Sequence, residues 1–312
     1  MRGSMDWQSH ELFKTVDNIG ESKNDAKEAA RANGAETWAD VGKAIGVFSY
    51  STADTYRDVW QAVGEQAKAE DGVRDMTKLE QQHIEAYLQG KIDQGVSYGT
   101  FKGYASAVEK LATALNRYAE KNGIDREYKF DLKELRSDAK TELKAFEGTR
   151  AYQDPQAAVA AMRDPDARLV ASIQHEGGAR VKEASHIDRA QLHGLKTDRY
   201  TGQTVGKIEV VGKGGKVRAV YVSVQTYKDL ERAIDQGEGR FTVPADRVRD
   251  GLKDAAVKTN QDYNGSHGLR WNYAQERFGE LQDKGLTREE ALIQVSNEMG
   301  HNRADITEHY LR

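Results

Sequence analysis

The 312-residue chain contains no cysteine. That excludes disulfides, thiolate zinc sites and cysteine nucleophiles, and it fits a reducing cytoplasm. Proline is almost as scarce, with three in all (Pro155, Pro165, Pro244), none before residue 155. The first half therefore has few obligatory helix breaks. No run approaches the roughly 18 apolar residues that span a bilayer, and no signal peptide is visible, so no membrane association is expected. Nor is there an excess of basic charge: the formal net charge is −4. That counts modestly against a chain whose whole surface binds nucleic acid, although binding depends on local fields. From Gly178 to Val220 there are nine Lys or Arg against four Asp or Glu, so any anion-binding face has to be local.

A length of 312 residues accommodates two domains, each with its own core. Met1-Arg2-Gly3-Ser4 ahead of Met5 reads as a vector-derived leader and is set aside. The N-terminal part, residues 5–148, reads as helices separated by Gly or Asn-Gly stops, with a core at about 50–123. Helices are predicted at about Ser22–Ala32, Glu36–Phe48, Thr52–Ala69, Lys78–Asp93 and Thr100–Lys121, with a further charged helix pattern within 126–147 (Leu132, Leu135, Leu143, Phe146). In Thr100–Lys121 the residues Tyr104, Val108, Leu111, Leu115 and Tyr118 recur at steps of three and four, marking one apolar face, and Asn122-Gly123 ends it. Glu147–Gln156, with Gly148 and Pro155, reads as the linker into a second domain, 149–312.

There the character changes. KIEVVGKGGKVRAVYVSV alternates well enough to be a hairpin, with strands near 207–211 and 216–223. Helices are predicted at about Pro165–His175, Val224–Ile234, Asp246–Thr259, Ser266–Gln282 and Thr287–Met299, the last opening on the capping box Thr287-Arg288-Glu289-Glu290 and closing at Gly300. The fold class expected is mainly α with one small antiparallel sheet.

Two familiar motifs fail. His175-Glu176-Gly177-Gly178 has Ala179 where a zinc-protease helix needs histidine. Lys213 of GKGGK is followed by Gly214 where a phosphate loop needs Ser or Thr. His, Asp and Glu show no convincing metal-ligand spacing. Four short stretches remain: Arg180 with Glu183 three residues on, the hairpin turn at Lys213, Ser266-His267-Gly268-Leu269-Arg270, and Gly300-His301 with Tyr310 nine residues later. Each alone is an ordinary surface pair, turn, helix start or packed aromatic. Ser266 is placed to cap a helix whose first turn presents His267 and Arg270. Together the stretches supply two arginines, a lysine, two histidines and a tyrosine, which is what metal-free phosphodiester transfer requires. Arginine forks hold non-bridging oxygens and neutralise developing charge, a hydroxyl attacks phosphorus, and a lysine or histidine protonates the departing oxygen.

The order Arg…Lys…His-x-x-Arg…Gly-His…Tyr resembles the tyrosine recombinases, the phage and mobile-element integrases and chromosome-dimer resolvases. The resemblance covers the second half, and Thr52–Lys121 with its Ser97-Tyr98-Gly99-Thr100 start is similar, more loosely, to the family's helical core-binding domain. It implies a site-specific DNA recombinase working through a 3′-phosphotyrosyl intermediate, with neither metal nor ATP, on double-stranded DNA, as a homotetramer on two sites. It implies that Arg180 and Arg270 clamp the phosphate, Lys213 acts as general acid, His267 and His301 assist, Glu183 supports and Tyr310 attacks. Lys182, Lys216 and Arg218 would add phosphate-tracking charge. A type IB topoisomerase, a telomere resolvase or a non-catalytic DNA-binding protein on the same scaffold would share these residues in whole or part. Ala179 and Trp271 depart from the family pattern without removing a catalytic group. The stop soon after Tyr310 suggests a nucleophile on a mobile terminal segment, ordered only with DNA and neighbouring subunits in place.

Overall fold

The computed structural model describes residues 1–312 except 146, 213, 214, 216, 302 and 303. The chain divides into two compact units, Met1–Glu147 and Gly148–Arg312. Phe146, part of the predicted 126–147 pattern, lies outside the described residues, as do Lys213 and Lys216.

Among its described residues the first unit is mainly helical: α1 (Met5–Phe13), α2 (Lys23–Ala32), α3 (Trp38–Ala44), α4 (Tyr50–Asp71), α5 (Gln81–Asp93), α6 (Tyr98–Asn122) and α7 (Lys133–Glu142). The longest, α6, has the expected origin. Ser97 accepts a hydrogen bond from the Thr100 amide at its start, and Gly123 in the left-handed region (φ +64°) ends it. Its apolar face, with Phe101, Val108, Leu111 and Leu115 all fully buried, packs in a core with Trp60 of α4, whose indole donates to the Ala107 carbonyl (2.7 Å). Helix α3 stops at Ala44, short of the predicted Phe48. Lys110 and Arg117 of α6 donate to the carbonyls of Gly42, Ile45 and Ala44, holding this early helix end. Residues set aside as a leader take part in the unit: Ser4 Oγ caps α1 and the Gly3 carbonyl accepts from Gln8.

The second unit carries α8 (Pro155–Ala160), α9 (Pro165–Gly177), α10 (Val181–Ala184), β1 (His186–Asp188), β2 (Leu192–Thr197), β3 (Thr204–Val211), β4 (Val217–Ser223), α11 (Val224–Gln236), β5 (Arg240–Thr242), α12 (Ala245–Lys258), α13 (Ser266–Asp283), α14 (Arg288–Glu298) and α15 (Ala304–Glu308), closed by a 3-10 turn, His309–Leu311. The fold class is the expected one, mainly α with small antiparallel sheet. The predicted hairpin is β3–β4, paired from Val205↔Ser223 to Val211↔Val217. Sequence reading missed β2, which extends that sheet, and the separate antiparallel pair β1–β5. The supposed linker is also shorter than read, because Tyr152 is buried, its backbone amide donating to Asn272 Oδ1 of α13 and its carbonyl accepting from Asn272 Nδ2 (2.8 Å each). Among the described residues no helix is long and apolar enough to cross a membrane.

Candidate active site

The site forms where three helix ends meet: the C-termini of α9 and α14 and the N-terminus of α13. Helix α9 must stop for Arg180 to turn out of it. Gly178 does this in the left-handed region (φ +62°), and a Cβ there would lie 2.4 Å from the ring of buried Tyr273. Arg180 is the next helix's N-cap. Its amide (2.8 Å) and Nη1 (2.6 Å) both donate to the carboxylate of Glu183, which is buried. Burial opposes ionisation of Glu183, but Arg218 and the Arg180 hydrogen bonds hold its carboxyl below the ordinary range.

Helix α13 begins after Gly265 (φ +70°), which is its N-cap, so the expectation that Ser266 caps it is corrected. Ser266 is itself buried in the first turn, and its carbonyl accepts from Gln174 (3.3 Å). That turn brings in His267 and Arg270. The Arg270 side chain, with 0% exposure, donates through Nη1 to the Gly178 carbonyl and through Nη2 to the Met299 carbonyl (2.6 Å) and His301 Nε2 (3.0 Å). Both carbonyls stand at helix C-termini, where backbone dipoles favour a cation. Arg270 Nε has no hydrogen-bond partner among the described residues. Burial and neighbouring Arg180 pull the Arg270 guanidinium down to about 10, opposed by nearby Tyr310.

Helix α14 opens on the predicted capping box, Thr287 and Glu290 bonding each other's backbone amides, and its chain leaves through Gly300 (φ +70°). His301 follows, buried. An arginine only donates, so the contact with Arg270 makes Nε2 the acceptor and leaves the ring proton on Nδ1, 3.3 Å from Thr307 Oγ1. Burial, then Arg270 and Arg180, hold His301 at about 3. The same causes, with Arg150 added, hold His267 at about 4. Both imidazoles are therefore neutral at physiological pH in a strongly cationic setting.

Tyr310 is 8% exposed. Its hydroxyl lies 3.1 Å from His267 Nε2, and its ring centroid lies 5.2 Å from that of Trp271 and 5.3 Å from that of His301. Its carbonyl accepts from Gln275 (3.0 Å). The expectation of a tyrosine ordered only by DNA and neighbouring subunits is thus corrected: in the chain alone it is packed and hydrogen-bonded. The structure brings Arg180, Glu183, His267, Arg270, His301 and Tyr310 to one place.

Lys182 is exposed on α10, but Arg218 does not join it as a surface cation. Arg218 is buried and donates to Glu183 Oε2 (2.6 Å), the Gly178 carbonyl (3.3 Å) and the Glu298 carbonyl (2.5 Å), which corrects its reading as a DNA contact. Sequence reasoning also missed Gly178, Gln275 and Arg150. Gly178 is visible in hindsight as the second glycine of a helix stop, whereas a single arginine in a supposed linker gives no signal.

No protein-family model and no curated protein matches the chain. In structure it is similar to the XerH site-specific recombinase bound to difH substrate in a pre-cleavage complex, with TM-score 0.62, 15% identity, and 98% of this chain and 91% of that one covered. It is similar also to XerH bound to a palindromic difH substrate in a post-cleavage complex, with TM-score 0.59, 15% identity, and 100% and 94% covered. At that identity the likeness is one of fold: the chain shares the fold of these XerH site-specific recombinase structures.

Proposed function

We propose that this chain is a site-specific DNA recombinase that cuts and rejoins DNA through Tyr310. The Tyr310 oxygen attacks the scissile phosphorus, forming a 3′-phosphotyrosyl bond as the bond to the 5′-oxygen breaks. Neutral His267 takes the hydroxyl proton, and Lys213 gives a proton to the departing 5′-oxygen. Arg180 and Arg270 neutralise charge on the non-bridging oxygens, and loss of one such donor costs on the order of 3–4 kcal/mol of barrier. The phosphodiester energy is kept in the covalent link, so attack by the 5′-hydroxyl of a partner strand reseals the exchanged product. Four protomers on two duplexes, with exposed Lys182 and with Lys216 tracking phosphates, complete the reading.

One observation carries it: the Tyr310 hydroxyl sits on a neutral imidazole, His267, beside the arginine that His301 also contacts. The XerH relatives, described as complexes with difH substrate, support DNA as the partner. The test is a pool of nicked duplexes randomised around the nick, incubated with the protein and resolved on a denaturing gel. A denaturation-resistant protein–DNA band is expected, and sequencing its DNA identifies the site. Absence of a band from the pool, or an undiminished band with Tyr310→Phe, overturns the assignment.

A further inference from the structure

Arg218 is the second residue of β4, just past the hairpin tip, on the strand face that also buries Val220 and Val222. A guanidinium on an apolar face is costly unless its donors are used. Its donors reach three segments. Glu183 belongs to α10, Gly178 ends α9, and Glu298 is the last residue of α14. Arg270 grips nearly the same ends, taking the Gly178 carbonyl and that of Met299. The two buried arginines thus clasp one pair of helix termini side by side, but their remaining contacts differ. Arg270 turns to His301, whereas Arg218 turns to the carboxylate that orients Arg180. Of the three linked side chains only Arg180 reaches the surface, at 36% exposure against 4% for Glu183 and 6% for Arg218. Arg218 also explains the glycine before His301: a Cβ on Gly300 would stand 2.7 Å from Arg218 Cδ.

We propose that Arg218 is a positioning residue for the phosphate clamp: through Glu183 it fixes the Arg180 guanidinium, and through the ends of α9 and α14 it holds that guanidinium in register with Arg270 and His301. This rests on the transesterification reading for what the clamp does. It does not touch DNA. Without Arg218, the buried Glu183 carboxylate would keep only Arg180 as a cationic partner, and burial would then favour its protonated form.

The test compares Arg218→Leu, Arg218→Lys, Glu183→Gln and the double variant Arg218→Leu/Glu183→Gln in the full chain. Salt-dependent affinity for a short duplex of arbitrary sequence should keep its slope in Arg218→Leu, because a lost phosphate contact would reduce the slope by about one. Covalent complex formation at saturating DNA should fall about 100-fold, the scale of a misplaced reacting group. Arg218→Lys should recover part of it, and the double variant should lose less than the two single losses combined. A reduced slope, an undiminished rate in folded Arg218→Leu, or additive losses would overturn the proposal. If Arg218→Leu fails to fold, Arg218→Lys and the double variant, which leaves no unpaired carboxylate, carry the same comparison. If the parent chain itself forms no covalent complex, the recombinase reading falls. The positioning claim is then decided by the 13C titration of the Glu183 carboxyl, which should move to higher pH in Arg218→Lys and whose invariance would refute it.

Discussion

An oxyanion placed among Arg180, Arg270 and His301 should reverse the electrostatics that keep the site histidines neutral. Burial and the flanking arginines hold His267 at about 4 and His301 at about 3. A bound anion leaves the burial but offsets the arginine field. At about 5 Å and an effective dielectric near 20, one negative charge contributes about 3 kcal/mol in favour of the imidazolium, roughly two pH units. The perturbation is saturating inorganic sulfate at constant ionic strength, so that screening is the same in both arms. The assay is the 1H–13C signal of each histidine ring followed against pH. With eight histidines in the chain, His267→Asn and His301→Asn assign the two signals. The free chain should titrate both well below the ordinary histidine range, and sulfate should move both upward. Ordinary titration without sulfate would refute the arginine field described above. Two signals unmoved by sulfate would refute a clamp open to an anion.

Gly300→Ala should lose about 1–3 kcal/mol in urea denaturation, combining a left-handed backbone (φ +70°) with a Cβ 2.7 Å from Arg218 Cδ. Arg277→Met should cost about 3–5 kcal/mol, because it strips the buried Glu298 carboxylate and Asp198 of their shared cation. Thermal melting of the two proteins at neutral pH checks this. The depressed His301 makes the unfolded chain bind more protons than the folded one between about 3 and 6.5. Stability should therefore be level above that window and fall as pH drops through it, by roughly 1.4 kcal/mol per pH unit for that group. The difference in unfolding free energy between parent and His301→Asn, measured across pH, isolates this limb.

Features written in local sequence were legible. Helix α6 carries both its apolar stripe and its stop, α14 carries its capping box, and the β3–β4 hairpin carries its alternation. The order of the charged and aromatic groups around Arg180, His267, Arg270, His301 and Tyr310 was enough to single them out. What failed depended on partners far along the chain. Strands β1 and β5 are three residues each, and Ile187 meets Phe241 only in the folded unit. Arg218 looked like a surface cation because its partners Glu183, Gly178 and Glu298 are 35, 40 and 80 residues away. Its burial did have a signal, the period-two alternation that sets it in phase with Val220 and Val222. Propensity favours Ser266 as the cap, whereas the cap position falls on Gly265, whose backbone takes a positive φ.

Arg270 has no exposed surface, and Tyr310 lies against it. Under the proposed function, the group that attacks the phosphate therefore rests beside the arginine that is to hold it. On that reading, a phosphate arriving at Arg270 meets the tyrosine that is to attack it, so binding the substrate and bringing the nucleophile to it are one event.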